Sequence, residues 1–443
     1  MIENTNDLIG TEQELDNLLE EILVAAKEKK VPNFNLSLEE SLRSPERKLQ
    51  GEALLHIHEL STGLAEILVR DPRLFGNQAR MIQSGYGGWV GFYPNFVNEK
   101  LLLRLFKTGN VQATIEWLRK ILTTTRASAK LVLAVWGVKV DGEIQVTENI
   151  KVMPIHLLPD CDQKQALLNH PAGNWGVASI SVFDMAKIEA AVVMDVEIAQ
   201  VVATVGEDGE APKVDRSSDF ARLREIAQFF LLVGARISIP GMAWLAYDDA
   251  DLNVLSGSTY HLTEVAPVHI PRQSELDAEE LRQLVTSYLA LSGDDQQKIK
   301  IALFRIDQAS RRREVGDRAV ELSTALECLV GDDAKTEMTH KVKVRAVRLI
   351  GGTESQRKKN ATIISKSYSI RSSLVHSGKV DLRKKHKVLS EDLTAAEVVE
   401  EGLLLSIELV KKILSLGNIP EWDIFDITDF PQSVSTESTT ANA

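Results

Sequence analysis

The apolar positions of the chain change period twice, from helix-like to strand-like and back. Leu15, Leu18, Leu19, Ile22 and Leu23 recur at helical spacing among acidic residues, so 11–30 predicts an amphipathic helix, with Thr11 and Glu14 as its capping box. Residues 32–36 break the pattern. A second helix is predicted over 38–69, with Leu54, Ile57, Leu60, Leu64 and Ile67 facing inward. His56, His58 and Glu59 lie on it. Positions two apart point to different sides of a helix and make a poor metal pair. Residues 78–83 read as helical, and 99–123 resume the helical period. Between them, 85–96 is rich in glycine and aromatics. Val90 stands where a phosphate-cradling loop needs a third glycine, so a structural turn with packed aromatics is expected.

From Lys130 the period shortens. Residues 131–140 form a β-rich run, Asp141-Gly142 is a hairpin signal, and 143–147 is the expected return strand. Further strands are predicted over 150–157, 189–204 and 235–247, with a turn at 206–209 and a helix over 218–232. Asp249, Asp251 and Asn253 imitate the start of a calcium loop. Val254 replaces its glycine and Tyr260 its glutamate, so a polar loop is expected.

The helical period returns over 276–291, 294–330, 335–350, 355–377 and 392–416. Gly331, Gly351-Gly352 and Gly378 punctuate it, and Ser390 opens the last helix without a full capping box. Short connections between helices predict a bundle. The expected fold class is α+β. A helical region spans 1–127. An α+β middle region over 128–272 is the candidate sensor or regulatory part. An all-α bundle over 273–430 and a disordered Ser/Thr-rich tail over 431–443 complete the chain.

Hydrophobic residues make up 44% of the 443 and charged residues 26%, as in soluble globular proteins. No apolar run is long enough for a transmembrane helix, and the acidic N-terminus lacks the features of a signal peptide. The two cysteines, Cys161 and Cys328, fit no metal spacing or disulfide framework. A cytoplasmic protein with no membrane partner, metal or cofactor is the expectation. Net charge is -12 and unevenly spread. Residues 300–388 hold 21 Lys+Arg against 10 Asp+Glu, which leaves 30 of the chain's 51 cations and 53 of its 63 anions elsewhere. A basic segment in an acidic chain attracts phosphate locally, and Arg345 and Lys379 within it are the candidate RNA contacts. No repeat, Walker A motif, zinc pair or nucleophile elbow is present.

Within the basic segment, 368–378 reads Tyr-Ser-Ile-Arg-Ser-Ser-Leu-Val-His-Ser-Gly. Arg371 carries a fixed charge and a planar donor fork that matches phosphate. His376 is of the residue type that can give or take a proton as acid or base. Together they are the residue types that metal-free attack of an RNA 2'-hydroxyl on its phosphate requires. At about 100° per residue, however, they stand about 140° apart on a straight helix. Back-folding of the arginine, an early helix end near Gly378, or a second protomer would reconcile them.

Arg371-x4-His376 resembles the R-x4-6-H motif of HEPN domains, and its surroundings are similar to the Apea-like HEPN subgroup. The likeness includes Asp317-Arg318, the run Ala325-Leu326-Glu327-Cys328-Leu329, and the stretches 341–349 and 368–378. It covers about 295–416, with weaker traces at 104–107 and 135–142. It implies a helical bundle that dimerises with the Arg/His motifs at the interface. It also implies a metal-independent endoribonuclease of antiphage, abortive-infection or toxin-like systems, with RNA as substrate and a phage-derived or protein trigger. Arg371 would then bind phosphate, His376 would move protons, Glu327 would orient one of them, and Tyr368 would pack nearby. Nuclease versions often carry Asn, Asp or His after the arginine; here it is Ser372, which can still hydrogen-bond phosphate. Gly378 stands where some toxins have a modifiable tyrosine. A non-catalytic HEPN RNA-binding or scaffold protein is the alternative.

Overall fold

In the run 127–136, Leu131, Leu133 and Val135 alternate with Val132, Ala134 and Trp136, and all six are buried. Successive strand residues point to opposite faces, so this strand has to be covered on both sides. The computed structural model describes residues 5–28, 61–71, 80–84, 88–91, 94–169, 188–204, 213–253, 260–261, 274–332 and 337–428. The expected histidine pair at 56 and 58, the turn at 206–209 and the tail 431–443 lie outside them.

In chain order, α1 (Thr5–Glu28) and α2 (61–70) precede the strands β1 (Arg80–Ser84) and β2 (Gly88–Gly91). The helices α3 (Pro94–Thr108) and α4 (Val111–Thr123) lead into β3 (Ala127–Trp136), β4 (Val138–Lys139), β5 (Ile144–Gln145) and β6 (Ile150–Pro154). Then come α5 (Asp162–Asn169), β7 (Ala190–Ile198), β8 (Val202–Thr204), α6 (Ser217–Gln228), β9 (Ile239–Tyr247), β10 (Tyr260–His261) and β11 (Ser274–Glu275). The C-terminal helices are α7 (Ala278–Leu289), α8 (Gly293–Arg311), α9 (Val315–Val330), α10 (Met338–Ile350) and α11 (Glu354–Ser377). The hairpin β12 (His386–Val388) and β13 (Glu391–Leu393) separates these from α12 (Ala395–Leu416) and α13 (Trp422–Ile427). The chain is thus mixed helix and strand with a helical C-terminal part.

The main sheet has six strands in the order β10-β9-β3-β7-β6-β5, with every neighbouring pair antiparallel. One face joins Leu131, Leu133, Val192 and Leu245 to Phe220, Leu223 and Ile226 of α6. The same apolar cluster continues through Phe229 and Phe230 into the C-terminal helices. The other face packs Val132, Trp136, Val193 and Trp244 against Ile155, Leu158, Cys161 and Leu167, from a 3-10 turn and α5. The pairing of β3 with β9 slips between Ala134 and Val135, opposite Gly241. A Cβ at Gly241 would run into the Trp136 ring, so only glycine fits this bulge.

Several sequence expectations need correction. α1 starts at Thr5, which leaves Thr11 inside the helix rather than at its cap. Residues 80–84, expected as helix, form β1, which pairs with β2 on one edge and with the distant β8 on the other. The expected hairpin across Asp141-Gly142 does not form: β5 pairs with β6, and β4 with β11 in parallel. The 99–123 helix breaks at Gly109, whose φ is +62°, and Asn110 caps the new start by accepting the Ala113 N–H at 3.0 Å. The 294–330 helix breaks between Arg311 and Val315, where Arg312 is extended. Ser390 lies in the turn of the β12–β13 hairpin, and Thr394 with Glu397 makes the complete capping box of α12.

Among the described residues, no helix is long and apolar enough to cross a membrane. Gly241→Ala would force the Trp136 ring from its buried seat. Urea unfolding should show a loss of about 1–3 kcal/mol, the usual cost of overpacking, with an unchanged m-value.

Candidate functional site

In the C-terminal bundle, α9 packs against α8, α10, α11 and α12. It buries Leu322, Ala325, Leu326 and Leu329. α11 is defined sharply at both ends. Thr353 accepts the Gln356 N–H, and the Gln356 side chain accepts the Thr353 N–H. At the other end Gly378, with φ +68°, donates its N–H to Leu374. The inward stripe between them is Ile363, Ile364, Ser367, Tyr368 and Ile370. A Cβ on Gly402 of α12 would lie 3.0 Å from Ser367 Oγ, so glycine allows the two helices to approach closely here.

The stripe fixes where the two motif residues point. Arg371 follows it by one residue and is half-buried, whereas His376 is exposed in the last turn beside Val375, which is 58% exposed. The helix ends at Ser377 with Gly378 as its cap, as expected, but it is regular through His376, so this end leaves the two residues on different sides. Neither side chain has an ion pair or hydrogen bond among the described residues, and Arg371 Nε is buried without a partner.

Glu327 reaches this region from α9, as expected, but it lies against Tyr368. Tyr368 is 6% exposed. Burial pushes its phenol far above the ordinary range, the Glu327 carboxylate adds to that, and Arg371 partly offsets it. The hydroxyl makes no hydrogen bond of regular geometry. Ser372, half-buried, has no side-chain hydrogen bond, and the buried Ser367 Oγ also lacks a partner. One end of α11 therefore gathers the buried Ser367 Oγ and Arg371 Nε without hydrogen-bond partners, with the Tyr368 hydroxyl set against Glu327.

Arg345 does not fit its expected role as an RNA contact. Its Nε and Nη2 donate to Asp426 at 3.1 and 2.7 Å, Nη2 also to Asp332 at 2.9 Å, and Nη1 to the Val330 carbonyl at 3.0 Å. The guanidinium lies over the Trp422 ring and is 2% exposed, so phosphate cannot reach it. Its role is to fasten α13 to α10. Lys341, and then Arg345, hold the Asp332 carboxyl below the usual carboxylate range.

Lys379, by contrast, is exposed immediately after the α11 cap and its ammonium has no partner among the described residues. Arg383, Lys384, Lys385 and Lys387 follow, all exposed. Sequence reasoning passed over this group, although the run Arg-Lys-Lys-His-Lys at 383–387 signalled it. His386 within it is buried. Burial, then Lys384 and Lys366, hold its imidazole below the usual value.

In the middle region, the calcium-like carboxylates are taken by cations. Asp249 and Asp251 pair with Lys120, and Asp251 also with Arg104. Asn253 bridges the backbone of Tyr247 and Asp160. Near the edge of the sheet, Lys139, Asp141, Ile155, His156 and Glu189 line a cleft of about 340 Å³.

No family model, no curated protein and no solved structure matches the chain.

Two substitutions separate structure from chemistry at this end of the bundle. Arg345→Ala should cost about 2–3 kcal/mol in urea unfolding. That is below the roughly 3–5 of a fully buried pair, because Asp332 and Asp426 stay partly solvated. Tyr368→Phe removes a buried hydroxyl without a regular partner, so the unfolding midpoint should hold or rise, by up to about 1 kcal/mol.

Proposed function

We propose that the chain is a metal-independent endoribonuclease of the HEPN type, acting in antiphage defence, abortive infection or a toxin-like stress response. The observation that carries this reading is the availability of Arg371 and His376. Arg305, Arg312, Arg318 and Arg345 in the same bundle are spent on carboxylates. Arg371 and His376 are not.

In this reading His376 removes the proton from a 2'-hydroxyl or returns one to the departing 5'-oxygen. Arg371 neutralises the charge that builds on the phosphoryl oxygens. Because the regular α11 turns the two side chains apart, the working site is completed by a second protomer. A homodimer through the C-terminal bundle brings two Arg/His pairs to one groove. Lys379, next to the helix cap, holds the flanking backbone, and residues 1–272 respond to a phage-derived or protein trigger.

Ser372 and the divergence of the pair within one protomer favour a second reading, a non-catalytic RNA-binding or scaffold protein with the same bundle.

Cleavage of total RNA in EDTA tests both. Wild type is expected to cleave. His376→Ala should lose about 10²- to 10⁴-fold and Arg371→Ala about 10²- to 10³-fold. Equal cleavage by all three sinks the assignment. No cleavage by wild type, with RNA binding that survives His376→Ala, selects the scaffold.

A further inference from the structure

Several cations elsewhere in the bundle are balanced: Lys359 by Glu401, Lys411 by Glu280, and Arg318 by Glu400. The loop after α11 breaks this pattern. Of the ten residues 379–388, five are Lys or Arg and only Asp381 is acidic. Asp381 Oδ1 accepts the backbone N–H of Arg383 at 3.0 Å and so serves the turn. Lys379, Arg383, Lys384 and Lys385 are exposed with no ion pair among the described residues. Lys385 lies near Glu397, but that carboxylate is committed to the α12 capping box. Lys387 faces Asp392 across the hairpin and contributes less.

The loop is also anchored. Gly378 caps it at one end. At the other, His386 and Val388 point inward, 6% and 1% exposed, and pair with β13. Lys366 of α11 sits within electrostatic reach of His386 and extends the positive surface along the helix. Like charges held together on an ordered element repel one another, and an anionic chain laid across them relieves that repulsion. No aromatic side chain interleaves them, so the surface offers no platform for stacked bases. Its donors match phosphates alone. The surface begins three residues after His376.

We infer that the 379–387 loop grips the sugar-phosphate backbone of single-stranded RNA without reading its bases, beside the Arg371/His376 site. This rests on the reading of the chain as an RNA-acting protein. A single strand is favoured because attack by a 2'-hydroxyl needs a backbone free to rotate into line, which a duplex restrains.

The test measures fluorescence anisotropy of labelled 2'-O-methyl oligonucleotides, which bind but lack the nucleophile, across a salt series with the full chain. Each phosphate contact contributes about -0.7 to the log–log salt slope for single strands. Arg383→Ala/Lys384→Ala/Lys385→Ala should therefore flatten the slope by about 2 and weaken binding roughly 100-fold at 0.1 M salt. Lys107→Ala/Arg126→Ala/Lys298→Ala, which removes equal charge elsewhere, should bind as wild type does. Adenine and uracil sequences should bind alike.

The inference is overturned by an unchanged slope in the loop variant, by an equal loss in the control, by strong base preference, or by binding to anionic phosphatidylserine vesicles instead of RNA. Cleavage of unmodified RNA is scored separately. Loss of binding in a protein that never cleaves leaves the grip and removes the nuclease. Cleavage with unchanged binding in the loop variant removes the grip alone.

Discussion

The roll of α11 about its own axis is the constraint on which the candidate site depends. Ile363, Ile364 and Ile370 are buried against neighbouring helices, with Ser367 and Tyr368 between them. Each isoleucine contributes about 1.5–3 kcal/mol by leaving water, so the three oppose a change of roll with roughly 5–9 kcal/mol. A hydrogen bond or ion pair gained by turning His376 inward would return about 1–3 kcal/mol. Packing wins. The close seat of Ser367 on Gly402 and the two helix caps hold the same roll.

Charge is distributed by a related logic. Several bundle cations meet carboxylates from other elements, and these pairs tie the elements together. Arg345 is the strongest case, since it joins α10 to Asp332 and to Asp426 of α13 and stacks on Trp422. A guanidinium so enclosed is a structural fastener whatever its neighbours in sequence suggest. Among the cations without an ion pair, Lys379, Arg383, Lys384 and Lys385 are grouped in the loop after α11, with Arg371 and Lys366 on the helix before it. The cations visible in the sequence over 300–388 thus divide between structural pairs and side chains open to a partner.

How far the sequence could be read follows from the range of the forces involved. β3, β7 and β9 were legible because both faces are buried and their residues are almost continuously apolar. β1 was not. Arg80-Met-Ile-Gln-Ser has no strong strand pattern, and its pairing comes from β8, more than a hundred residues later. The break after Arg311 lies in a run of arginines that suits a helix locally. The β12–β13 hairpin has three-residue strands and a turn in which Leu389 takes φ +55° without a glycine to announce it. Arg345 looked available for the same reason: Asp426 is 81 residues away. The divergence of Arg371 and His376, by contrast, needed only the helical period and a continuous helix, both of which the chain displays.

That divergence bears on how a site of this kind can be regulated. If one protomer held both groups in a working arrangement, activity would follow folding, and control would have to block a finished site. Here the packing of α11 presents an arginine with an unpartnered Nε on one side and an exposed histidine on the other. The energy that holds the roll exceeds what the pair returns, so no small rearrangement inside the protomer completes the site. On the proposed reading, completion comes from outside, through a second bundle or through the RNA itself bridging the two sides. Control of that encounter needs no movement of α11.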